Sequence, residues 1–216
     1  MKKQKKKWFY ASLGTLTAFV LWTAAVGLID VRTIGPNGSA VGFATINRFF
    51  HSLTGVHMSL YVITDWLGLI PLAFALGFAL LGLIQWTKRK SLFKVDRSIL
   101  ILGGFYLAVT AAYALFEVFV INYRPVLIGG VLEASYPSST TLLVMCVMPT
   151  AAMQLYARIK NNILRSCTTF VISAFTVFMV AARSISGVHW FSDIIGGALL
   201  SGTLVFMYAF FAGHND

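Results

Sequence analysis

The sequence contains few charged residues and little cysteine. Only 11% of its 216 residues are charged, whereas 58% are hydrophobic, and the mean hydropathy is +0.79. So few charges cannot cover the apolar surface of a water-soluble chain of this size, which excludes an ordinary soluble domain. The two cysteines, Cys146 and Cys167, have no nearby Cys or His at metal-ligand spacing. The sequence therefore predicts neither a disulfide framework nor a zinc site.

Acidic residues are also scarce, since seven Asp and Glu stand against 17 Lys and Arg, for a net charge of +10. An excess of this size is also found in nucleic-acid-binding proteins. Here, however, the basic residues cluster at the ends of apolar runs. We interpret the charge as a signal of membrane topology and predict no nucleic-acid partner.

Long apolar runs are the most prominent feature of the sequence. A bilayer core of about 30 Å requires about 20 apolar residues per helix, and six runs meet that length. We predict an all-α polytopic membrane protein that forms a single membrane domain over residues 1–216. Its predicted spans cover residues 8–29, 66–86, 98–121, 139–156, 168–185 and 193–212. A short amphipathic helix around residues 41–53 is predicted to lie in the membrane interface between the first two spans.

The distribution of basic residues predicts the orientation of these spans. If the N-terminus is cytoplasmic, 13 of the 17 basic residues fall on the inner side. These are Lys2, Lys3, Lys5, Lys6, Lys7, Lys88, Arg89, Lys90, Lys94, Arg97, Arg158, Lys160 and Arg165. The outer side keeps only Arg32, Arg48, Arg124 and Arg183. The positive-inside rule then predicts that both termini face the cytoplasm from a cell membrane.

Three polar clusters fall at the predicted outer ends of the helices, where ionisable groups are candidates for function. The first is residues 122–125, preceded by Glu117, and the second is residues 136–141. The third consists of Arg183, His189 and Asp193. Asp65, beside Trp66, is predicted to cap the outer end of the second span.

Together these clusters have the chemistry of a phosphate site. The guanidinium groups of Arg124 and Arg183 present planar forks of donors that match phosphate oxygens. A helix that begins at Ser138 and Ser139 adds free backbone N–H groups and a positive dipole end. His189 is then placed to attack phosphorus or to carry a proton. Asp193 is predicted to hold its other ring nitrogen, and no metal or cofactor is required.

These residues resemble the type 2 phosphatidic acid phosphatase (PAP2) superfamily of integral-membrane lipid phosphatases. The resemblance rests on Arg124-Pro125, on Pro137-Ser138, and on Arg183 followed by His189 and Asp193 at the spacing of the third family motif. It implies that His189 forms a phosphohistidine and that Asp193 supports it. It further implies that Arg124, Arg183 and Ser138 bind the phosphoryl group.

The sequence departs from the family pattern at two positions. Glu117 stands where the first motif begins with a lysine, and Thr140 stands where the second motif has a histidine. A carboxylate beside a phosphate is repulsive, so we predict that Glu117 pairs with Arg124 or Arg183. A plain ion pair that orders the helices is an equal alternative for Glu117.

The missing histidine at position 140 bears on the leaving group. Loss of a general acid commonly slows a reaction by about 10²- to 10⁴-fold. A phosphomonoester leaves from a diphosphate largely without protonation, because its second pKa is about 6. The substitution therefore favours a diphosphate substrate, although Tyr136, Thr141 or a water molecule remains an alternative proton donor.

We predict a phosphatase that acts on membrane lipid phosphates at the outer leaflet of the cytoplasmic membrane. An isoprenoid carrier diphosphate, such as undecaprenyl diphosphate of a cell envelope, is the first candidate substrate. Phosphatidylglycerol phosphate and phosphatidic acid follow. The phosphate-binding set comprises Arg124, Ser138, Ser139, Thr140 and Arg183, with Glu117 and Tyr136 in supporting positions. Two alternatives remain: a relative that binds or transports a phosphorylated lipid or solute without turnover, and transfer of the phosphoryl group to another lipid.

Overall fold

The structure is a computed structural model, and it describes residues 2–213. Over that range the regular elements are eight α-helices and two short 3₁₀ turns. The helices are α1 (Lys2–Leu28), α2 (Ala44–Thr54), α3 (Met58–Leu67), α4 (Leu69–Arg89), α5 (Arg97–Val118), α6 (Ser139–Arg158), α7 (Asn162–Ile185) and α8 (Phe191–Ala212). The predicted all-α class is confirmed.

Six helical segments of the described chain are long and apolar enough to cross a membrane, which confirms a multi-pass membrane protein. They correspond to α1, to α3 and α4 together, and to α5, α6, α7 and α8. The short helix α2 lies between the first two spans, close to the predicted position. Its apolar and polar residues separate onto opposite faces, as expected for a helix at an interface.

The second span differs from its predicted boundaries at the N-terminal end. It begins at Met58 and not near Trp66, and it runs to Arg89. The two helices within it meet at Gly68, because Pro71 lacks the N–H that would donate to the Leu67 carbonyl. Asp65 therefore lies inside the span and does not cap it.

Helices α6 and α8 form the centre of the bundle. In their apolar windows 50% and 44% of the residues are buried, against 11–22% in the other spans, so these two helices pack mainly against protein. Helix α8 packs along α1, where the Ser12 hydroxyl donates to the Thr203 carbonyl at 3.0 Å. It also approaches α6 closely, since a Cβ on Gly197 would lie 3.2 Å from the Ser138 carbonyl oxygen.

Local capping explains where these helices begin. The Ser138 hydroxyl accepts from the Thr141 N–H and so caps α6, and the Asn161 side chain accepts from the Leu164 N–H at 3.0 Å and caps α7. The Asp193 carboxylate accepts from the Trp190 N–H at 2.9 Å at the start of α8. The Ser138 N–H also donates to the Asp193 carbonyl at 3.1 Å. The N-termini of both central helices therefore lie side by side at one end of the bundle.

Candidate active site

The loop between α5 and α6 folds back on itself beside these two N-termini. The Arg124 N–H donates to the Glu133 carbonyl at 3.1 Å, and the Ser135 N–H donates to the Asn122 carbonyl at 2.9 Å. These two bonds place the first polar cluster of the sequence next to the second. The loop between α7 and α8 adds His189 from the third cluster, so the structure brings all three clusters together.

His189 is buried against the α5–α6 loop, with 4% of its surface exposed. Its Nδ1 lies 3.0 Å from the Ser135 hydroxyl and 3.2 Å from the Ser135 carbonyl. Its Nε2 is also buried and has no hydrogen-bond partner among residues 2–213. The imidazole is therefore held through one nitrogen and leaves the other free.

Burial lowers the pKa of His189 well below its usual value of 6.5. The nearby guanidinium groups of Arg124 and Arg183 lower it further, because a second positive charge beside them is unfavourable. The Ser135 backbone carbonyl acts in the opposite direction but is outweighed. His189 is therefore neutral at pH 7, as a nucleophile requires.

Asp193 is fully buried and is surrounded by donors. Its carboxylate accepts from the Ser135 hydroxyl at 2.5 Å, from Asn122 Nδ2 at 3.1 Å and from the Trp190 N–H. We predicted a direct bond from Asp193 to the second ring nitrogen of His189. In the described residues that bond is replaced by a path through Ser135, because the loop inserts the serine hydroxyl between the two side chains.

Arg183 is 1% exposed and is held by α3. Its Nη1 donates to the Thr64 hydroxyl at 2.9 Å and to the Tyr61 carbonyl at 3.3 Å. Its Nη2 lies 3.8 Å from a carboxylate oxygen of Asp65, whose side chain is 63% exposed. Its Nε is buried without a partner in the described part of the chain. Tyr61 and Thr64 were missed in the sequence, because they were assigned to the segment before the second span.

Arg124 lies near the same Tyr61 ring as Arg183. Its guanidinium carbon is 5.9 Å from the centre of the Tyr61 ring, and that of Arg183 is 4.6 Å from it. Arg124 Nε forms an ion pair with the Glu133 carboxylate at 3.0 Å, but neither Nε nor the buried Nη1 has a hydrogen-bond partner within residues 2–213. Two buried guanidinium groups thus share one aromatic ring, and each retains a nitrogen that can donate.

The prediction that Glu117 pairs with Arg124 or Arg183 is wrong. The carboxylate partner of Arg124 is Glu133, and the nearest acidic group to Arg183 is Asp65. Glu117 is exposed at the end of α5 and lines a small cavity together with His189. Glu133 reaches Arg124 instead because the loop folds back and carries it to the guanidinium.

The hydroxyl groups at the start of α6 have unequal positions. The Ser138 hydroxyl is buried and accepts from Thr141, so it serves as the helix cap. Ser139 lines the cavity beside His189, whereas Thr140 does not. The Tyr136 hydroxyl is 2.7 Å from the Thr23 hydroxyl on α1, and burial raises the pKa of Tyr136 above its usual value of 10.0. Tyr136 is therefore a poor proton donor.

The helices behind the site hold the start of α8 in place. The Asn47 side chain on α2 accepts from the Ser192 N–H at 3.0 Å and donates to the Ser192 hydroxyl at 2.9 Å. Trp22 on α1 donates to the Ser192 carbonyl at 3.1 Å. Because Ser192 directly precedes Asp193, these contacts from α1 and α2 help to position Asp193. Hydropathy alone does not reveal this role of the amphipathic helix α2.

Comparison with known proteins identifies the family and the fold. The family model of the PAP2 superfamily matches residues 104–215, just over half of the chain. The protein belongs to the PAP2 superfamily. The fold is similar to that in the crystal structure of the first transmembrane PAP2-type phosphatidylglycerolphosphate phosphatase from Bacillus subtilis. That match has a TM-score of 0.66 at 17% identity and covers 96% of this chain and 98% of the other. No curated protein matches the sequence.

Proposed function

We propose that this PAP2 protein is a membrane phosphatase that removes the terminal phosphate from a lipid phosphate or diphosphate. The observation that carries the proposal is that buried nitrogens of three neighbouring residues have no hydrogen-bond partner in the described chain, among them Nε2 of His189, Nη1 of Arg124 and Nε of Arg183. The arginine nitrogens are buried donors without partners, which is costly, and two neighbouring buried cations repel each other. Nε2 of His189 instead has a lone pair that can attack phosphorus. A phosphate supplies several acceptor oxygens and negative charge, and so offsets both costs.

The proposed reaction begins with attack by His189. Nε2 forms a bond to phosphorus as the bond from phosphorus to the leaving oxygen breaks, and the leaving group takes the electron pair. Arg124 and Arg183 hold the non-bridging oxygens, where charge accumulates. Water then attacks phosphorus, the N–P bond breaks, and orthophosphate leaves with the neutral imidazole restored.

The leaving group favours a diphosphate substrate. Thr140 supplies no imidazole at the family's acid position. Tyr136 is a weak acid in its buried position. A diphosphate releases a phosphomonoester that needs little protonation, whereas a monoester must expel an alkoxide. An isoprenoid carrier diphosphate is therefore the first candidate, and phosphatidylglycerol phosphate is the second, because the protein of similar fold is named for that activity.

The site belongs at the outer face of the cytoplasmic membrane under this proposal. The positive-inside rule assigns the Lys-rich end of α1 to the cytoplasm, and the site lies at the opposite end of the bundle. In a bacterial envelope this is the face at which carrier diphosphate is released by polymer synthesis. The substrate then enters from the outer leaflet.

The second candidate function is binding or transport of a phosphorylated lipid without turnover. Glu117 favours it, since an exposed carboxylate in the cavity beside His189 opposes the approach of a phosphate. This candidate retains the guanidinium groups of Arg124 and Arg183 as the anion site. It assigns no chemical role to His189.

Phosphate release by the purified protein in detergent distinguishes the two functions. The substrates are a polyprenyl diphosphate, phosphatidylglycerol phosphate and phosphatidic acid, each tested with wild type, His189→Ala and His57→Ala. His57 is an exposed histidine on a neighbouring loop and provides the matched control. We expect release by wild type and His57→Ala, none by His189→Ala, and the fastest turnover with the diphosphate. Binding of labelled lipid phosphate that depends on Arg183, without release from any substrate, would instead establish the binding function.

A further inference from the structure

Ser135 connects the two acid–base residues of the site. It lies in the loop before α6, and 2% of its surface is exposed. Its hydroxyl oxygen is 2.5 Å from Oδ2 of Asp193 and 3.0 Å from Nδ1 of His189. A serine two residues before Pro137 carries no signal in the sequence by itself, and only the folded loop places it between these side chains.

We infer that Ser135 is a positioning residue that fixes the tautomer of His189 and relays the charge of Asp193 to its ring. This inference rests on the proposed phosphatase function. It concerns the chain's own hydrogen bonds, so it also makes predictions for the protein without substrate.

Counting protons establishes the direction of each bond. The Ser135 hydroxyl has one proton, and the short bond to Asp193 uses it, because a carboxylate can only accept. Towards His189 the same oxygen can then only accept, so Nδ1 must carry the ring proton. The Ser135 carbonyl, 3.2 Å from Nδ1, requires that same proton. Both contacts therefore leave Nε2 unprotonated, with its lone pair available for attack.

The charge of the site makes this relay important for rate. Attack through Nε2 places positive charge on the imidazole ring, and Arg124 and Arg183 both disfavour that charge. Asp193 is the buried carboxylate that opposes them, whereas Glu117, which also lines the cavity beside His189, is exposed. Because the Ser135 hydroxyl connects Asp193 to Nδ1, its removal is expected to affect the chemical step and not substrate binding.

Steady-state kinetics of Ser135→Ala test the relay. A hydrogen bond to a charged group corresponds to about 10- to 10²-fold in rate, so we expect kcat to fall by that factor with KM within about threefold. Loss of the relay also removes a group that favours the protonated ring, so the acid limb of the kcat profile is expected to move to lower pH. Ser135→Thr keeps the hydroxyl and is expected to restore most of the rate.

Ser201→Ala is the matched control, because it removes another buried hydroxyl, one that donates to the Gly197 carbonyl on α8 away from the site. We expect Ser201→Ala to stay within about twofold of wild type. The inference is overturned if Ser135→Ala also stays within about threefold in kcat, or if its loss is in KM alone. A partial loss of folding would lower the apparent kcat with KM unchanged, but it would not move the acid limb, so the pH profile distinguishes it from loss of the relay.

Nitrogen-15 NMR of labelled histidine provides a test that needs no turnover. Signals absent from the His189→Asn spectrum identify His189 in the full chain. We expect a proton on Nδ1 and none on Nε2 at pH 7.5, and a shifted Nδ1 signal in Ser135→Ala. A proton on Nε2, or an unchanged Nδ1 signal in Ser135→Ala, would overturn the inference. The protein could show the expected NMR signals and yet release no phosphate. That result would support Ser135 as the positioning group and refute only the proposed function.

Discussion

Thr64→Val is expected to impair the protein more than removal of the nearby acidic group of Asp65. Thr64 is fully buried, and its hydroxyl accepts from Arg183 Nη1 at 2.9 Å. Asp65 carries the opposite charge to Arg183, yet its nearest oxygen is 3.8 Å from Nη2, and its side chain is 63% exposed. Burial and distance therefore predict that Thr64→Val impairs the protein more than Asp65→Asn, although formal charge alone suggests the opposite.

The magnitudes follow from these contacts. A hydrogen bond to a buried charged group contributes about 1.5–3 kcal/mol, and the guanidinium donor left without a partner adds to the loss. We expect Thr64→Val to lower kcat/KM by about 10- to 10²-fold and the free energy of unfolding by about 1–3 kcal/mol. An exposed ion pair contributes about 0.2–1 kcal/mol, so Asp65→Asn is expected to lower kcat/KM by less than about fivefold.

Phosphate release and thermal unfolding in detergent measure both effects on the same samples. Thr203→Val is the matched control, since Thr203 is buried on α8 and its hydroxyl donates only within its own helix, to the Leu199 carbonyl. It is expected to retain wild-type kcat/KM. A larger loss for Asp65→Asn than for Thr64→Val, or equal losses for Thr64→Val and Thr203→Val, would contradict the prediction.

Two further predictions concern stability. The pKa of His189 is lowered in the folded protein, so below pH 6.5 the unfolded chain takes up a proton that the folded protein refuses. The free energy of unfolding should therefore fall as pH drops from 7.5 to 5, and it should fall more steeply for wild type than for His189→Gln. Thermal unfolding at several pH values measures both slopes, and equal slopes would contradict the prediction. Gly187 has φ +68°, and a Cβ there would lie 1.9 Å from the Gly55 carbonyl oxygen, so Gly187→Ala should lower Tm sharply. The control Gly103→Ala, with open space around its Cβ position, should leave Tm unchanged or raise it, and an equal loss in both variants would refute the clash.

The membrane fold follows from hydropathy because each span needs only its own residues to be recognised. An apolar run of about 20 residues satisfies its backbone within one helix and its surface within the lipid, whatever its neighbours are. The six spans and the family motif with Arg183, His189 and Asp193 were therefore readable from the sequence. The orientation, which rests on the basic residues at the helix ends, stays a prediction.

The errors in the sequence interpretation involve contacts between distant segments. Glu117 was predicted from charge alone to pair with Arg124 or Arg183, whereas the loop carries Glu133 to Arg124. The bond from Asp193 to His189 was predicted as direct, whereas Ser135 lies between them. In each case the sequence contains several side chains of suitable chemistry. Which of them makes the contact depends on where the α5–α6 loop folds back.

The sequence by itself determined that this is a helical membrane protein, how many spans it has and to which family it belongs. Local composition and motif spacing carry that information. The tertiary structure alone decided which groups surround the phosphate site. It brought Tyr61 and Thr64 of α3 to Arg183, and Ser135 between His189 and Asp193. The physical reason is that a buried charge takes its partners from whatever the packed helices place within hydrogen-bond distance, and that distance is not encoded by separation along the chain.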